Sequence, residues 1–123
     1  MKVSEAVEYT LGRYEMLGEE EINLRFQYRE MNEDWERLVA EQTKTTDWKE
    51  LKITNEGGRL RHLKKIFNEE WERLQNIRKK RDKAGFFKEA SNNWYSYLLE
   101  TYTQNGDFDL KDDIEKIILG DKE

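Results

Sequence analysis

The 123-residue chain contains no cysteine, no proline and a single histidine, His62. Without cysteine there are no disulfides, no thiolate metal sites and no cysteine nucleophile. One histidine cannot form a triad alone or a zinc site built on paired histidines; its place in a basic segment reads as a surface side chain. Missing proline removes the strongest helix breaker and permits long helices. No apolar run approaches the roughly 20 residues needed to span a bilayer. The opening Met1-Lys2-Val3-Ser4-Glu5 lacks the apolar stretch of a secretory signal. The expectation is a cytoplasmic protein with no membrane partner.

Recognisable chemistry is equally sparse. Gly57-Gly58 lacks the following lysine and hydroxyl residue of a phosphate-cradling loop. Ser4, Ser91 and Ser96 stand in no context resembling a nucleophile elbow. Asn105-Gly106-Asp107-Phe108-Asp109, with Asp112 and Asp113, is the best metal candidate. It fails as a calcium loop, because Leu110 stands where the loop needs glycine and Lys116 where it needs glutamate. Carboxylates are so numerous that no catalytic pair stands out. The chain is expected to be non-enzymatic, with no metal and no cofactor.

What is present is charge and aromaticity. Charged residues make up 40% of the chain and apolar residues 36%, a balance that borders on disorder. Four Trp, six Tyr and five Phe shift the reading to a folded chain, since each ring can bury a large area. The expectation is one helical domain over 1–123 with a small core, for which homodimerisation would supply further burial.

Helical periodicity recurs throughout. Residues 4–17 align Val7, Leu11, Tyr14 and Leu17 behind Ser4 as N-cap, and Gly18 ends or bends this helix. Residues 19–42 align Leu24, Tyr28, Met31, Trp35 and Leu38, with Glu33 and Arg37 spaced to pair. Residues 59–84 align Leu60, Leu63, Phe67, Trp71, Leu74 and Ile77, with Glu69 and Arg73 spaced likewise; Gly85 ends the helix. Residues 87–103 align Phe87, Ala90, Trp94, Leu98 and Tyr102, and Asn105-Gly106 signals a turn. Residues 110–119 follow Asp109 as N-cap, turn Leu110, Ile114, Ile117 and Ile118 inward, and stop at Gly120. The predicted fold is an all-α bundle of four to five helices, with 19–42 and 59–84 as two long antiparallel elements. Around 48–60 a short hairpin is the alternative, with 49–54 and 59–63 joined by a turn at Asn55-Glu56-Gly57-Gly58.

One heptapeptide nearly repeats: Asn32-Glu33-Asp34-Trp35-Glu36-Arg37-Leu38 returns as Asn68-Glu69-Glu70-Trp71-Glu72-Arg73-Leu74. It reads as a duplicated helical unit, as two matching faces for a two-fold partner, or as ordinary amphipathic helices with Trp inward and Glu and Arg outward; the last is preferred, since no further copies make a solenoid.

The formal net charge of −5 is unevenly spread. Residues 59–88 carry eleven basic and four acidic residues, while 1–43 and 89–123 each have a net charge of −6. At 100° per residue Arg61, Lys65, Lys79 and Lys83 fall opposite the apolar stripe, flanked by His62, Arg73 and Lys80. Such a line of cations suits a phosphate backbone, although a solvated face is the commoner meaning. Arg78 and Arg81 lie on the apolar side. Either they pair with acidic segments of the same fold, or the core ends near Ile77 and Arg78, Arg81, Phe86 and Phe87 form a partner-binding surface of hot-spot composition.

The leading expectation is therefore a protein-binding module: an adaptor, an assembly factor or an inhibitor of a larger protein. Its Lys/Glu-rich, cofactor-free composition suggests an accessory protein of a phage or other mobile element. Nucleic-acid binding through Arg61, Lys65, Lys79, Lys80 and Lys83 is the second reading. Mimicry of nucleic acid by the acidic ends is the third.

Overall fold

A computed structural model describes residues 1–120. The fold is all-α, as the periodicity predicts. Its helices are α1 (Val3–Thr45), α2 (Glu56–Ile66), α3 (Asn68–Asn105) and α4 (Asp112–Gly120). Strands are absent among the described residues, whose one isolated bridge pairs Lys2 with Asp109. None of these helices is long and apolar enough to cross a membrane.

The expected helix boundaries need correction. The first two predicted helices are one, because Gly18 does not break α1. A single interior glycine costs about 1 kcal/mol, too little to interrupt a helix held by packing on both sides of it. Gly85 likewise lies inside α3, in a place that favours its lack of a side chain: a Cβ there would sit 3.1 Å from Glu21 Oε2. The predicted 59–84 helix is broken instead at Phe67, whose φ of −108° and ψ of 42° leave the helical region. Its N–H still closes α2 on Leu63 O at 2.9 Å, and its carbonyl accepts from Trp71 N–H at 3.0 Å. Across this break the apolar line does not run straight: Leu63 and Leu74 are buried, whereas Leu60 is 40% exposed.

The hairpin around 48–60 does not form. Asn55 is the N-cap of α2, its side chain accepting from Gly58 N–H at 2.7 Å, so the two glycines belong to a helical first turn. The preceding segment is a chain of turns in which Ile53 N–H bonds to Trp48 O at 3.0 Å.

The contacts of the chain, read above as one domain, form two compact units to which α1 and α3 both contribute. The first comprises Met1–Asn23 and Arg81–Glu123. Its two long segments run antiparallel, as Arg13 approaches Phe87 and Glu21 approaches Gly85. The buried residues Val3, Thr10 and Leu17 on α1, and Ala84, Ser91 and Leu98 on α3, recur every seven residues, as in a coiled-coil seam. Val3, Ala6, Leu98 and Ile118 make the core, with Trp94, Leu110 and Ile114 packed on it.

The N-terminus of α1 is closed by the segment that follows α3. Lys2 N–H bonds to Glu5 Oε1 at 3.1 Å, half of a capping box. Val3 N–H reaches Phe108 O at 2.9 Å and Ser4 N–H reaches Asp107 Oδ1 at 3.1 Å. Ser4 is therefore not the N-cap but lies within the first turn, its hydroxyl donating to Asp107 Oδ2 at 2.7 Å. Nor does Asp109 cap α4: it pairs with Lys2 at 3.7 Å, and Lys111 O accepts the first helical bond of α4, from Glu115 N–H. Ile117, expected inward, is 54% exposed, leaving Ile118 as the buried residue of α4.

The second unit is the continuous stretch Leu24–Lys80. Leu24, Trp35, Leu63 and Leu74 are its buried apolar residues. The near-repeat has a structural meaning here. Trp35 and Trp71, equivalent in the two heptapeptides, face each other with ring centroids 5.2 Å apart. Each copy also places Arg near acid, though in different pairings. Arg73 forms an ion pair with Glu69 at 3.9 Å as its spacing predicts, whereas Arg37 pairs with Asp34 rather than Glu33.

Candidate functional site

The residues expected to bind a partner divide between the units. Arg78 belongs to the second and is exposed. Arg81, Phe86 and Phe87 belong to the first. Arg81 is half-buried, its guanidinium 3.1 Å from the neighbouring Asp82 carboxylate. Phe86 is 69% exposed, the highest value among the exposed large hydrophobics. It meets Phe87 edge-on at 5.5 Å. Arg13 and Lys83 both lie 5.9 Å from the Phe87 ring centre, and Lys88 lies 5.6 Å from that of Tyr14. Exposed phenylalanine beside cation-bearing rings is the composition of an interface anchor.

A second line of residues, not singled out from the sequence, extends this surface. On α3 Phe86, Ala90, Asn93 and Tyr97 fall within about 60° of arc. Tyr97 is 58% exposed and meets Trp94 edge-on at 6.0 Å. Ala90, Asn93, Trp94 and Tyr97, with Ile114 of α4, line a shallow groove of about 450 Å³. Sequence reasoning assigned Ala90 and Trp94 to the core stripe and left Tyr97 aside. The spacing 86, 90, 93, 97 was the available signal, but it overlaps the inward stripe on the same helix.

In the second unit Arg61, Lys65, Lys79 and Lys80 are all exposed, and none makes an ion pair among the described residues. Lys83, expected in the same line, belongs to the first unit and lies near Phe87. Lys64 sits 4.2 Å from the centre of Trp71, and Arg59 lies 5.3 Å from that of Trp48. His62 meets Trp48 edge-on at 5.7 Å, so it is half-buried rather than a plain surface side chain. A groove of about 440 Å³ runs along Met31, Trp35 and Leu38 between Asp34, Glu70 and Arg73.

The acidic segment after α3 serves structure. Asp107 holds Ser4 and Asp109 faces Lys2. The two hydrogen bonds from Ser4, hydroxyl first and backbone second, hold the Asp107 carboxyl below its ordinary pKa of 3.8. Among the described residues no three carboxylate, histidine or cysteine side chains gather to hold a metal ion.

The two units carry net charges of opposite sign. The first carries sixteen acidic and eight basic residues, a net charge of −8; the second carries eleven acidic and fourteen basic, a net charge of +3.

No protein-family model, no curated protein and no solved structure matches the chain significantly.

Proposed function

We propose that this protein is a non-enzymatic protein-binding module, of the adaptor, assembly-factor or inhibitor kind, and that it binds through the α3–α4 side of its first unit. The observation that carries this reading is the aromatic line from Phe86 to Tyr97. Both rings are left largely in water beside a groove, although the chain has few apolar residues to spare for its core. A benzophenone amino acid at position 97 tests it in cells of the source. The expected result is a discrete, protease-sensitive adduct that Phe86→Ser abolishes and that the same group at exposed Gln27 does not form. Adducts sensitive only to nuclease, or indifferent to Phe86→Ser, would contradict the reading.

Nucleic-acid binding is the second reading, supported by the unpaired exposed cations Arg61, Lys65, Lys79 and Lys80 in the unit of net charge +3. Anisotropy with labelled double-stranded DNA, single-stranded DNA and RNA at two salt concentrations addresses it. Steeply salt-sensitive binding, lost on Lys79→Glu with Lys80→Glu, supports it; absence of binding at low salt removes it.

A further inference from the structure

We infer that the groove between α3 and α4 receives an amphipathic helix with basic residues flanking its apolar face, supplied by another protein. This rests on the protein-binding reading above and adds the chemistry of the partner.

Shape gives the first argument. Phe86 and Tyr97 are eleven positions apart, which spans about 16 Å, or three helical turns. Between them Ala90 leaves the line open, and Ile114 of α4 supplies the opposite wall. The exposed Ile117 lies one turn further along α4. A helix laid in such a groove would seat apolar residues at the i, i+4 and i+7 positions, the usual mode of helix-in-groove recognition.

Charge gives the second. Relative to Phe86, the exposed Asp82 and Glu100 lie about 40° and Glu89 about 60° around α3, on the side away from Trp94. Three carboxylates thus edge the apolar line along its outer side. The Asp82 carboxylate is shared with Arg81, and Glu100 accepts from the neutral Gln104 amide. On α4, Asp113 is the exposed residue one turn before Ile117. The cations Arg13, Lys83 and Lys88 gather around Phe87 and Tyr14; of these the exposed Lys83 lies about 60° from Phe86 on the Trp94 side, so the acidic edge is the outer one alone. An acid-edged apolar face selects basic flanks on its partner, as charged positions beside a coiled-coil seam do. The same arrangement disfavours a second copy of this unit, whose net charge is also −8.

The test uses the full chain and three labelled synthetic peptides, each about four helical turns long. One carries leucines at the i, i+4, i+7 and i+11 positions with lysines on both flanks. The second replaces these lysines by glutamates. The third keeps the lysines but has two central prolines that prevent a helix. Anisotropy is read at low and at physiological ionic strength, and the chain alone is sedimented.

The expected result is that the first peptide binds about tenfold or more tightly than either of the others. Tyr97→Ser should weaken it about tenfold, and Glu89→Lys with Glu100→Lys should transfer the preference to the glutamate peptide. Preference of the unaltered chain for the glutamate peptide overturns the inference while leaving a protein-binding groove in place. Equal binding of the proline peptide overturns the helical partner. Binding of no peptide overturns the inference, and with it the proposed groove if sedimentation shows no self-association sensitive to Tyr97→Ser. A dimer abolished by that substitution assigns the groove to a second copy instead.

Discussion

Asp107 caps α1 although it lies 103 residues from Ser4 in the chain. The helix start needs acceptors for its first N–H groups, and the local sequence supplies one only through Glu5. The rest come from Asp107 and Phe108. Nothing in a linear reading joins Ser4 to that acidic segment, so the role of Ser4 was legible only as far as its closeness to a helix start. The consequence for pH has a definite sign. The folded Asp107 pKa lies below its ordinary value, so the contribution is complete above pH 3.8 and disappears as pH falls below that value. Thermal melts of Asp107→Asn should show a lower Tm than the unaltered chain at neutral pH, with the difference shrinking towards pH 3. A constant difference would locate its effect elsewhere. The neighbouring pair Tyr97 and Leu98 gives a second contrast. Leu98→Ala should cost about 2–5 kcal/mol in urea unfolding, because that side chain is fully enclosed. Tyr97→Ser, on the open side of the same turn, should stay within about 0.5 kcal/mol.

Helices were far more legible than their ends. Apolar spacing located every helical stretch, and Asn105-Gly106 marked the end of α3, where Gly106 takes a φ of +73° and its N–H bonds to Tyr102 O at 2.9 Å. Gly18 and Gly85 misled because a glycine signals a break only where packing does not hold the helix together. Phe67 misled in the other direction: no local chemistry marks a break at an aromatic residue inside an apolar stripe. The seam of the first unit was obscured by its small and polar members, Ala6, Thr10, Ala84 and Ser91, which stand out little in a search led by large apolar residues. The glycines give a direct check. No atom lies within 4 Å of a Cβ added at Gly12, and one at Gly18 would make an ordinary 3.8 Å contact with Lys88. Gly12→Ala and Gly18→Ala should each stabilise the chain by about 0.5–1 kcal/mol. Gly106→Ala should destabilise it by about 1 kcal/mol, since its backbone conformation disfavours a side chain. Chemical denaturation of the three variants separates these signs.

At the scale of the molecule, the candidate site was half legible. Phe86 and Phe87 were visible as unusual company for arginines, and the basic line 61–83 was visible as charge. That Lys83 joins the two Phe in one unit, while Arg61, Lys65, Lys79 and Lys80 lie in another of opposite net charge, follows from contacts that no linear count contains. The two units also differ in how the chain reaches them. Leu24–Lys80 is unbroken, so all its internal contacts can form once Lys80 has been synthesised. The first unit joins residues from both ends of that stretch, and its Val3–Phe108 bond closes a loop of more than a hundred residues. Closing long loops is entropically costly and slows the contacts that depend on them. Hydrogen-exchange pulse labelling during refolding should therefore protect amides of 24–80 before those of 3–10. On the ribosome the order is enforced rather than merely favoured: the start of α1 emerges before Asp107 and Phe108 and waits, its first turn capped only by Glu5, until they have left the tunnel. The proposed binding face, built on α3 and α4, is thus completed only after the whole of Leu24–Lys80 has emerged, and a partner can engage it no sooner than α4 follows.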